Sequence, residues 1–103
     1  MELKNHVLTI AKQLENPDLI DWADENEQSA FDYLQDALDI QYIVDSKKEY
    51  IGARILVAFG GPNIWINTQS KQVEGYWWQD KYTSSYRRDE LGLDEACSEL
   101  FNC

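Results

Sequence analysis

The chain has 103 residues, of which 44% are hydrophobic and 13% aromatic, so it is too apolar to be disordered and long enough for one modest core. We therefore expect a single domain over residues 1–103. Its 19 Asp and Glu against 9 Lys and Arg give a formal net charge of −10. No apolar run approaches the roughly 18 residues of a membrane span, and the N-terminus lacks the layout of a secretion signal. These features predict a cytoplasmic protein without membrane contact.

Residues 1–40 carry the spacing of helices. Apolar side chains recur at helical intervals over residues 3–14, which predicts a first helix. Asn16 and Pro17 supply a cap and a first-turn proline for a short second helix. Asp24 and Glu27 fit a capping box, with Asp24 as the cap, before a third helix. Three side chains of this third helix are expected in the core, against Ile55, Val57 and Ile66: Phe31, Leu34 and Leu38.

After Ile40 the pattern changes to the alternation of strands. Four strands are predicted, one around Tyr42 and Val44 and the others over residues 51–59, 64–66 and 73–78. The second is expected to be central, and residues 67–71 to form a hairpin turn. Helical spacing returns over residues 93–101. The predicted fold class is α+β, with three N-terminal helices and a C-terminal helix packed on a four-stranded antiparallel sheet.

Residue types that carry catalysis or bind metals are scarce. The single histidine, His6, has only Glu2 at metal-ligand spacing, and a surface or capping role suits it better. Cys97 and Cys103 are too few for a disulfide framework or a zinc site, and we expect both to be reduced. The glycines at 60–61 lack the lysine and the spacing of a phosphate-binding loop. We therefore predict no enzyme, no catalytic residue, no metal and no cofactor.

The acid excess is concentrated in the N-terminal part of the chain. Residues 1–40 carry ten acids and two lysines, a balance of −8, whereas residues 41–103 carry nine acids and seven bases, a balance of −2. No Lys or Arg occurs between Lys12 and Lys47, although an ordinary helix surface mixes both signs. This acidic surface has two interpretations: it binds a cationic partner, or it is only a solvated face.

Three aspartates of the predicted third helix carry the binding interpretation. At about 100° per residue, Asp32, Asp36 and Asp39 fall within roughly 60° of one another, opposite the apolar side. Three charges over about 10 Å of helix approach the ~3.4 Å axial charge spacing of one DNA strand. Acids from Asp18 onward extend this stripe. The candidate partner-binding residues are Asp21, Asp24, Glu25, Glu27, Asp32, Asp36 and Asp39.

A second candidate surface is aromatic. Trp65, Tyr76 and Trp78 alternate with the apolar residues expected to face the helices, which places them on the outer face of the sheet. Tyr82 and Tyr86 follow and complete this alternative partner-binding set. Exposed Trp and Tyr are typical of protein interfaces, and a net charge of −10 disfavours stacking on nucleic-acid bases. Alternatively, residues 81–90 fold over these rings and bury them as a second small core.

Two segments of the chain carry a resemblance. Gly60-Gly61-Pro62-Asn63-Ile64-Trp65-Ile66, followed by Gly75-Tyr76-Trp77-Trp78, resembles segments of small acidic proteins carried by phages and plasmids. In size and charge the chain is similar to anti-CRISPR and anti-restriction DNA mimics. The resemblance implies a non-catalytic protein whose carboxylates, at phosphate-like spacing, occupy a basic nucleic-acid-binding cleft and block a host enzyme. No individual functional residue carries over.

These patterns lead to one main functional hypothesis and one alternative. The main hypothesis is a cytoplasmic, non-enzymatic inhibitor of the DNA-mimic type, acting through the acidic face of residues 18–39. Its partner is the basic surface of a nucleic-acid-binding protein of host defence or DNA processing, without direct contact to nucleic acid. The alternative is a protein–protein interaction module, antitoxin-like or an assembly protein, that uses the aromatic sheet face. A monomer or a small homo-oligomer fits either hypothesis.

Overall fold

Alternating apolar residues after Ile40 build an antiparallel sheet, and helices from both ends of the chain cover one of its faces. The computed structural model describes residues 2–103, and this range forms an α+β fold with five strands and three α-helices. The helices are α1 (Glu2–Glu15), α2 (Ala30–Gln35) and α3 (Leu93–Phe101), and a 3-10 turn covers Pro17–Leu19. The strands are β1 (Asp39–Val44), β2 (Tyr50–Ala58), β3 (Asn63–Asn67), β4 (Gln72–Trp77) and β5 (Asp80–Ser85).

The sheet is a meander whose strand order, β1-β2-β3-β4-β5, follows the chain, with every neighbouring pair antiparallel. In the turn between β3 and β4, the side chain of Asn67 accepts hydrogen bonds from the backbone amides of Gln69 and Ser70, both at 3.0 Å. Only residues 78–79 join β4 to β5, since Trp77 pairs with Asp80. Such short hairpin connections place each strand beside the one before it.

One apolar cluster joins the helices to the sheet. Ile55, Ile66 and Val73 stand side by side on β2, β3 and β4 and are fully buried. Buried residues of all three α-helices belong to the same cluster, so the helices cover this face. α1 comes so close to β4 that a Cβ on Gly75 would lie 2.5 Å from Cγ2 of Val7. This close approach explains why a glycine stands in the middle of a strand.

The C-terminal helix is held by hydrogen bonds to two aspartates. The carboxylate of Asp89 accepts from three consecutive backbone amides, those of residues 92–94, each at 2.9 Å. These bonds satisfy free amides at the start of α3. The carboxylate of Asp94 accepts from the hydroxyls of Tyr50 and Thr68, both at 2.8 Å. Burial raises the pKa of Tyr50, so its hydroxyl stays a donor. The aspartates thus tie α3 to β2 and to the turn after β3.

Two of the predicted N-terminal helices differ from those observed. The second is only the 3-10 turn, because the chain becomes extended at Ile20. The third begins after Ser29, where Ser29 and Asp32 form the capping box. The side chain of Asp24, the predicted cap, instead accepts from the amide of Asn26 at 2.9 Å. The predicted capping box was wrong because two capping patterns follow each other in the sequence, Asp24 with Glu27 and Ser29 with Asp32. Only Ser29 directly precedes a buried residue, which is Ala30.

The sheet has one strand more than predicted. Residues 81–90 were considered as a cover for the outer face, but β5 extends the sheet as an edge strand beside β4. Most of its side chains are polar, so it lacks the apolar alternation that identifies a strand. The connecting residues, Trp78 and Gln79, also lack the Asn-Gly or Asp-Gly signal of a tight hairpin. With five strands, β3 occupies the centre instead of β2.

Of the three helical side chains expected in the core, one is buried. Leu34 is 6% exposed, whereas Phe31 and Leu38 are 42% and 60% exposed. The prediction was wrong for both. Leu38 lies beyond α2, which has only six residues and ends at Gln35, and Phe31 lies within α2 but outside its buried side, which is formed by Ala30 and Leu34. Tyr33 packs against the core instead. The short α2 therefore buries fewer side chains in the core than the sequence pattern predicts.

Candidate functional site

The three aspartates expected to form an acidic stripe do not lie on one helix. Asp32 is in α2, Asp36 is the C-terminal cap of α2, and Asp39 is the first residue of β1. The expected acidic stripe is therefore wrong, because the helix that would carry it ends at Gln35. These three carboxylates do not repeat along a helix at a phosphate-like spacing.

Asp32 has a structural role at the start of α2. Its carboxylate accepts hydrogen bonds from the backbone amide and the hydroxyl of Ser29, at 2.8 and 2.6 Å. In return, the amide of Asp32 donates to Oγ of Ser29 at 3.2 Å. The bond from the Ser29 side chain, and then that from its amide, hold the pKa of Asp32 below its ordinary value. Asp32 is half-exposed and is not a freely available surface charge.

The segment between the 3-10 turn and α2 surrounds Trp22 with carboxylates. We call the depression beside it the Trp22 groove. It has a volume of about 220 Å³, and its lining includes Trp22, Tyr33 and Val57 together with the carboxylates of Asp21 and Asp36. Two adjoining grooves also contact Trp22, and they add further exposed acids, which are Asp18, Asp24, Glu25 and Glu27. Most of the predicted acidic residues therefore do come together, but around an aromatic ring in a loop.

Trp22 itself is held in place by the chain. Its indole Nε1 donates a hydrogen bond to the backbone oxygen of Pro17 at 3.2 Å. Its ring meets the ring of Tyr33 edge to face, with centroids 6.4 Å apart and planes at 73°. Burial raises the pKa of Tyr33 to about 12, so its hydroxyl is neutral at physiological pH. The groove thus has two oriented aromatic walls.

No basic side chain neutralises these acids within the described residues 2–103. The two salt bridges found there join Arg54 to Glu74 at 3.1 Å and Arg88 to Glu90 at 3.6 Å. Both lie outside residues 18–39. The negative field of this surface is therefore left uncompensated by the chain itself, and it acts on whatever approaches from solvent.

The aromatic candidates of the outer sheet face are occupied by contacts within the chain. The guanidinium of Arg54 lies 4.3 Å from the ring centroid of Trp65, a cation–π contact, and Arg54 also pairs with Glu74. Tyr76 is half-buried, and its hydroxyl donates to the same Glu74 carboxylate at 3.4 Å. The charged groups and the aromatic rings of this face thus contact each other within the chain, which is typical of a structural network on an open sheet face.

The expectation of one exposed aromatic face is wrong for Tyr82 and Tyr86. Tyr82 pairs with Gly75 and packs against the core, and Tyr86 is fully buried in the core. The alternation of faces along β4 does not continue with the same even and odd positions into β5, because a two-residue turn lies between the strands. Tyr82 therefore shares the core-facing side of Gly75, with which it pairs. Trp78 is 89% exposed and lies in that turn, apart from Trp65.

Two aromatic features were missed by reasoning from the sequence. Trp22 is not among the candidate residues named from the sequence, although a lone aromatic within a run of acids is a usable signal for a binding groove. At the end of the sheet near Trp78, Phe59 is 71% and Trp77 is 36% exposed. The ring of Trp77 lies over Gly61, where a Cβ would come within 3.2 Å of it. The glycine at this position therefore leaves room for the indole.

Among residues 2–103, no three His, Cys, Asp or Glu side chains lie together as a metal site would require. No helix of this range is long and apolar enough to cross a membrane. Cys97 is buried and Cys103 is exposed, and both are free thiols. No family model, curated protein or solved structure matches the chain.

Proposed function

We propose that this chain is a non-catalytic acidic protein that binds a basic, nucleic-acid-binding surface of another protein, in the manner of anti-CRISPR and anti-restriction DNA mimics. The observation that carries the proposal is the set of exposed carboxylates around Trp22 with no basic partner in residues 2–103. Such a field attracts cationic surfaces and raises the rate of encounter. The partner would meet it in the cytoplasm.

The mimicry proposed is one of charge and not of helical geometry. Phosphate-binding surfaces are rich in Lys and Arg, and they take up negative charge from any scaffold that presents it at close range. A loop with acids around an aromatic ring supplies this charge together with apolar contact. The chain itself would not bind nucleic acid, because its net charge of −10 repels phosphate.

A pull-down from a nuclease-treated host lysate at low and high salt tests this proposal. Four exposed carboxylates make no hydrogen bond or salt bridge within residues 2–103 and can be neutralised together: Asp21, Glu25, Glu27 and Asp36. A control variant neutralises four exposed acids outside residues 18–39: Glu2, Glu49, Glu95 and Glu99. We expect the parent and the control to capture a nucleic-acid-binding protein at low salt, and the first variant to lose it. Equal capture by both variants would contradict the proposal.

A second candidate function, a protein–protein interaction module, is favoured by one observation. Phe59, Trp77 and Trp78 are all exposed, by 71%, 36% and 89%, on the strand ends and turns at one end of the sheet. Exposed tryptophans are enriched among the residues that dominate protein interfaces. This surface differs from the outer sheet face of the alternative hypothesis, although Trp78 belongs to both, and mutation of Trp78 tests it.

A further inference from the structure

We infer that the Trp22 groove receives one arginine side chain of the partner protein, an inference that rests on the proposed function and specifies its central contact. The groove holds about 220 Å³, which is below the roughly 300 Å³ at which small-molecule sites usually begin. Its size therefore suits a single side chain better than a metabolite. The occupant must combine an apolar stem with a cationic head, because the lining combines apolar walls with carboxylates.

The lining is complementary to such a side chain. Trp22, Tyr33 and Val57 offer aromatic and aliphatic surface, and Asp21 and Asp36 add two negative charges. A cation over the face of a tryptophan is attracted by the ring, and tryptophan is the best aromatic partner for this contact. The stem of a long basic side chain packs on apolar surface while its head remains at the polar edge.

Arginine fits better than lysine for two chemical reasons. Its planar guanidinium is weakly hydrated and stacks on aromatic rings, whereas the lysine ammonium is compact and strongly hydrated. The guanidinium also has five N–H donors, enough to bind more than one carboxylate at once, and the lining holds two, Asp21 and Asp36.

The groove is also organised before any partner arrives. The indole of Trp22 is fixed by its bond to Pro17, and Tyr33 is fixed in α2 by the capping box one residue earlier. Rings that are already oriented lose little conformational entropy when a ligand binds. Preorganisation of this kind is unnecessary for a merely solvated acidic loop.

Arginine-containing peptides provide the probe. The parent protein, labelled with ¹⁵N, is titrated with acetylated and amidated Gly-Arg-Gly-Arg-Gly, and with its lysine and citrulline counterparts. The four tryptophans give separate indole N–H signals, and Trp22→Phe assigns the one from Trp22. We expect the arginine peptide to shift the Trp22 indole and nearby amides. The lysine peptide should bind several-fold more weakly, and the uncharged citrulline peptide should cause no shift.

Variants separate the aromatic wall from the charges. Trp22→Ala should weaken the arginine peptide about three- to tenfold, the range expected for loss of one cation–π contact. The double variant Asp21→Asn/Asp36→Asn should weaken it to a similar degree and leaves all packing in place. Its matched control is Glu49→Gln/Glu99→Gln, which removes two exposed charges elsewhere and should change the affinity little. If Trp22→Ala does not fold, the double variant and its control decide.

Failure of the groove and failure of the proposed function give different results. An arginine peptide that leaves the Trp22 indole unshifted, or that binds the double variant as tightly as the parent, overturns the arginine site. Equal affinity for arginine and lysine peptides overturns it as well. The proposed function is tested separately in the pull-down. Loss of the partner protein by the four-carboxylate variant supports it, and retention of the partner contradicts it.

Discussion

Ser29 and Asp32 bind each other reciprocally, since the Asp32 carboxylate accepts from the Ser29 amide and hydroxyl while the Asp32 amide donates to Oγ of Ser29. This pair fixes the first turn of α2, and the next residue is Tyr33, which meets Trp22 edge to face. Asp32 was expected to bind a partner, but its carboxylate instead helps to position a wall of the Trp22 groove. Other carboxylates of the groove remain available to a partner.

The first prediction concerns this cap. Ser29→Ala should lower the free energy of unfolding by about 1 kcal/mol, since it removes a side-chain acceptor at a helix start. Asp32→Asn should change stability in the same direction, whereas Asp36→Asn should not, because Asp36 is exposed and does not bind Ser29. Urea melts of the three variants at pH 7 check this. Equal stability of the parent and Ser29→Ala would contradict the cap.

The same pair predicts a dependence on pH. The pKa of Asp32 is lowered in the folded state, so its contribution to stability is present above the ordinary Asp value of about 3.9. That contribution is lost as the pH falls through the lowered folded value. The parent should therefore lose more stability than Asp32→Asn between pH 5 and pH 2, measured by urea melts. Parallel losses would show that the bond to Ser29 contributes nothing to stability.

A second prediction distinguishes a leucine of α2 from a leucine just after it. Leu34 is 6% exposed and Leu38 is 60% exposed, although both were expected in the core. Leu34→Ala should lower the free energy of unfolding by about 2–5 kcal/mol, and Leu38→Ala should remain within about 0.5 kcal/mol of the parent. Paired denaturant melts decide the matter. A large loss from Leu38→Ala would mean that the segment between α2 and β1 packs against the core.

The close contact between α1 and β4 gives a third prediction. A Cβ on Gly75 would lie 2.5 Å from Val7 and 2.7 Å from Leu3, so Gly75→Ala should overpack the core and reduce stability by about 1–3 kcal/mol. Gly61→Ala is the control, because its nearest neighbour is the edge of the exposed Trp77 ring at 3.2 Å. Its melting temperature should fall much less. Equal melting temperatures for the two variants would refute the contact.

Much of this architecture follows from the sequence, and the exceptions have physical causes. The apolar spacing of α1 and α3 and the turn after Asn67 were predicted because each is a local pattern. The start of α2 was not, because two acidic capping patterns compete and packing selects the one next to Ala30. β5 is held by backbone pairing with β4, and its mostly polar side chains lack the apolar alternation that identifies a strand.

The sequence predicted which acids belong to the candidate site but not the shape of the surface that they form. The run of acids without Lys or Arg is visible in the sequence, and it predicted an acidic surface around residues 18–39. Its shape depends on the 3-10 turn and on the bond from Trp22 to Pro17, and neither has a sequence pattern that separates it from a short helix. Trp22 is visible in the sequence as a lone aromatic within the run of acids, but its place at the centre of the groove follows only from its contacts with Pro17 and Tyr33.

The two cysteines give a fourth prediction. Cys103 is exposed and Cys97 is buried, and burial raises the pKa of the Cys97 thiol to about 11. A thiol reagent at pH 8 should therefore label Cys103 quickly and Cys97 only when the protein unfolds. Mass spectrometry of the labelled peptides measures both rates. Rapid labelling of Cys97 in the native protein would contradict the position of α3 over the sheet.

Alkaline pH should weaken the fold through the same group. The folded pKa of Cys97 lies above its unfolded value, so its contribution to stability is complete below about pH 8.5. It is lost as the pH rises toward and through the folded value of about 11. Cys97→Ala should therefore show a smaller loss of stability than the parent between pH 8 and pH 11. An identical loss in both proteins would contradict the raised thiol pKa.

The exposed Trp78 gives a fifth prediction and tests the alternative function. It is 89% exposed and has a φ of +56°, a region that disfavours residues with a Cβ. Trp78→Ala should change stability by less than about 0.5 kcal/mol, and Trp78→Gly should match or exceed the parent. If Trp78→Ala nevertheless abolishes capture of a partner, the working surface is the aromatic end of the sheet.

The central claim is that the carboxylates around Trp22 take the place of nucleic acid on a basic protein surface. Its most direct test is competition, in which the protein captured in the pull-down is purified and loaded with a fluorescent DNA duplex. Fluorescence polarisation then follows displacement of the duplex as the acidic protein is added. We predict displacement that weakens as salt rises and that is lost in the four-carboxylate variant but kept in its charge-matched control. Binding to the partner without any displacement of the duplex would contradict the account.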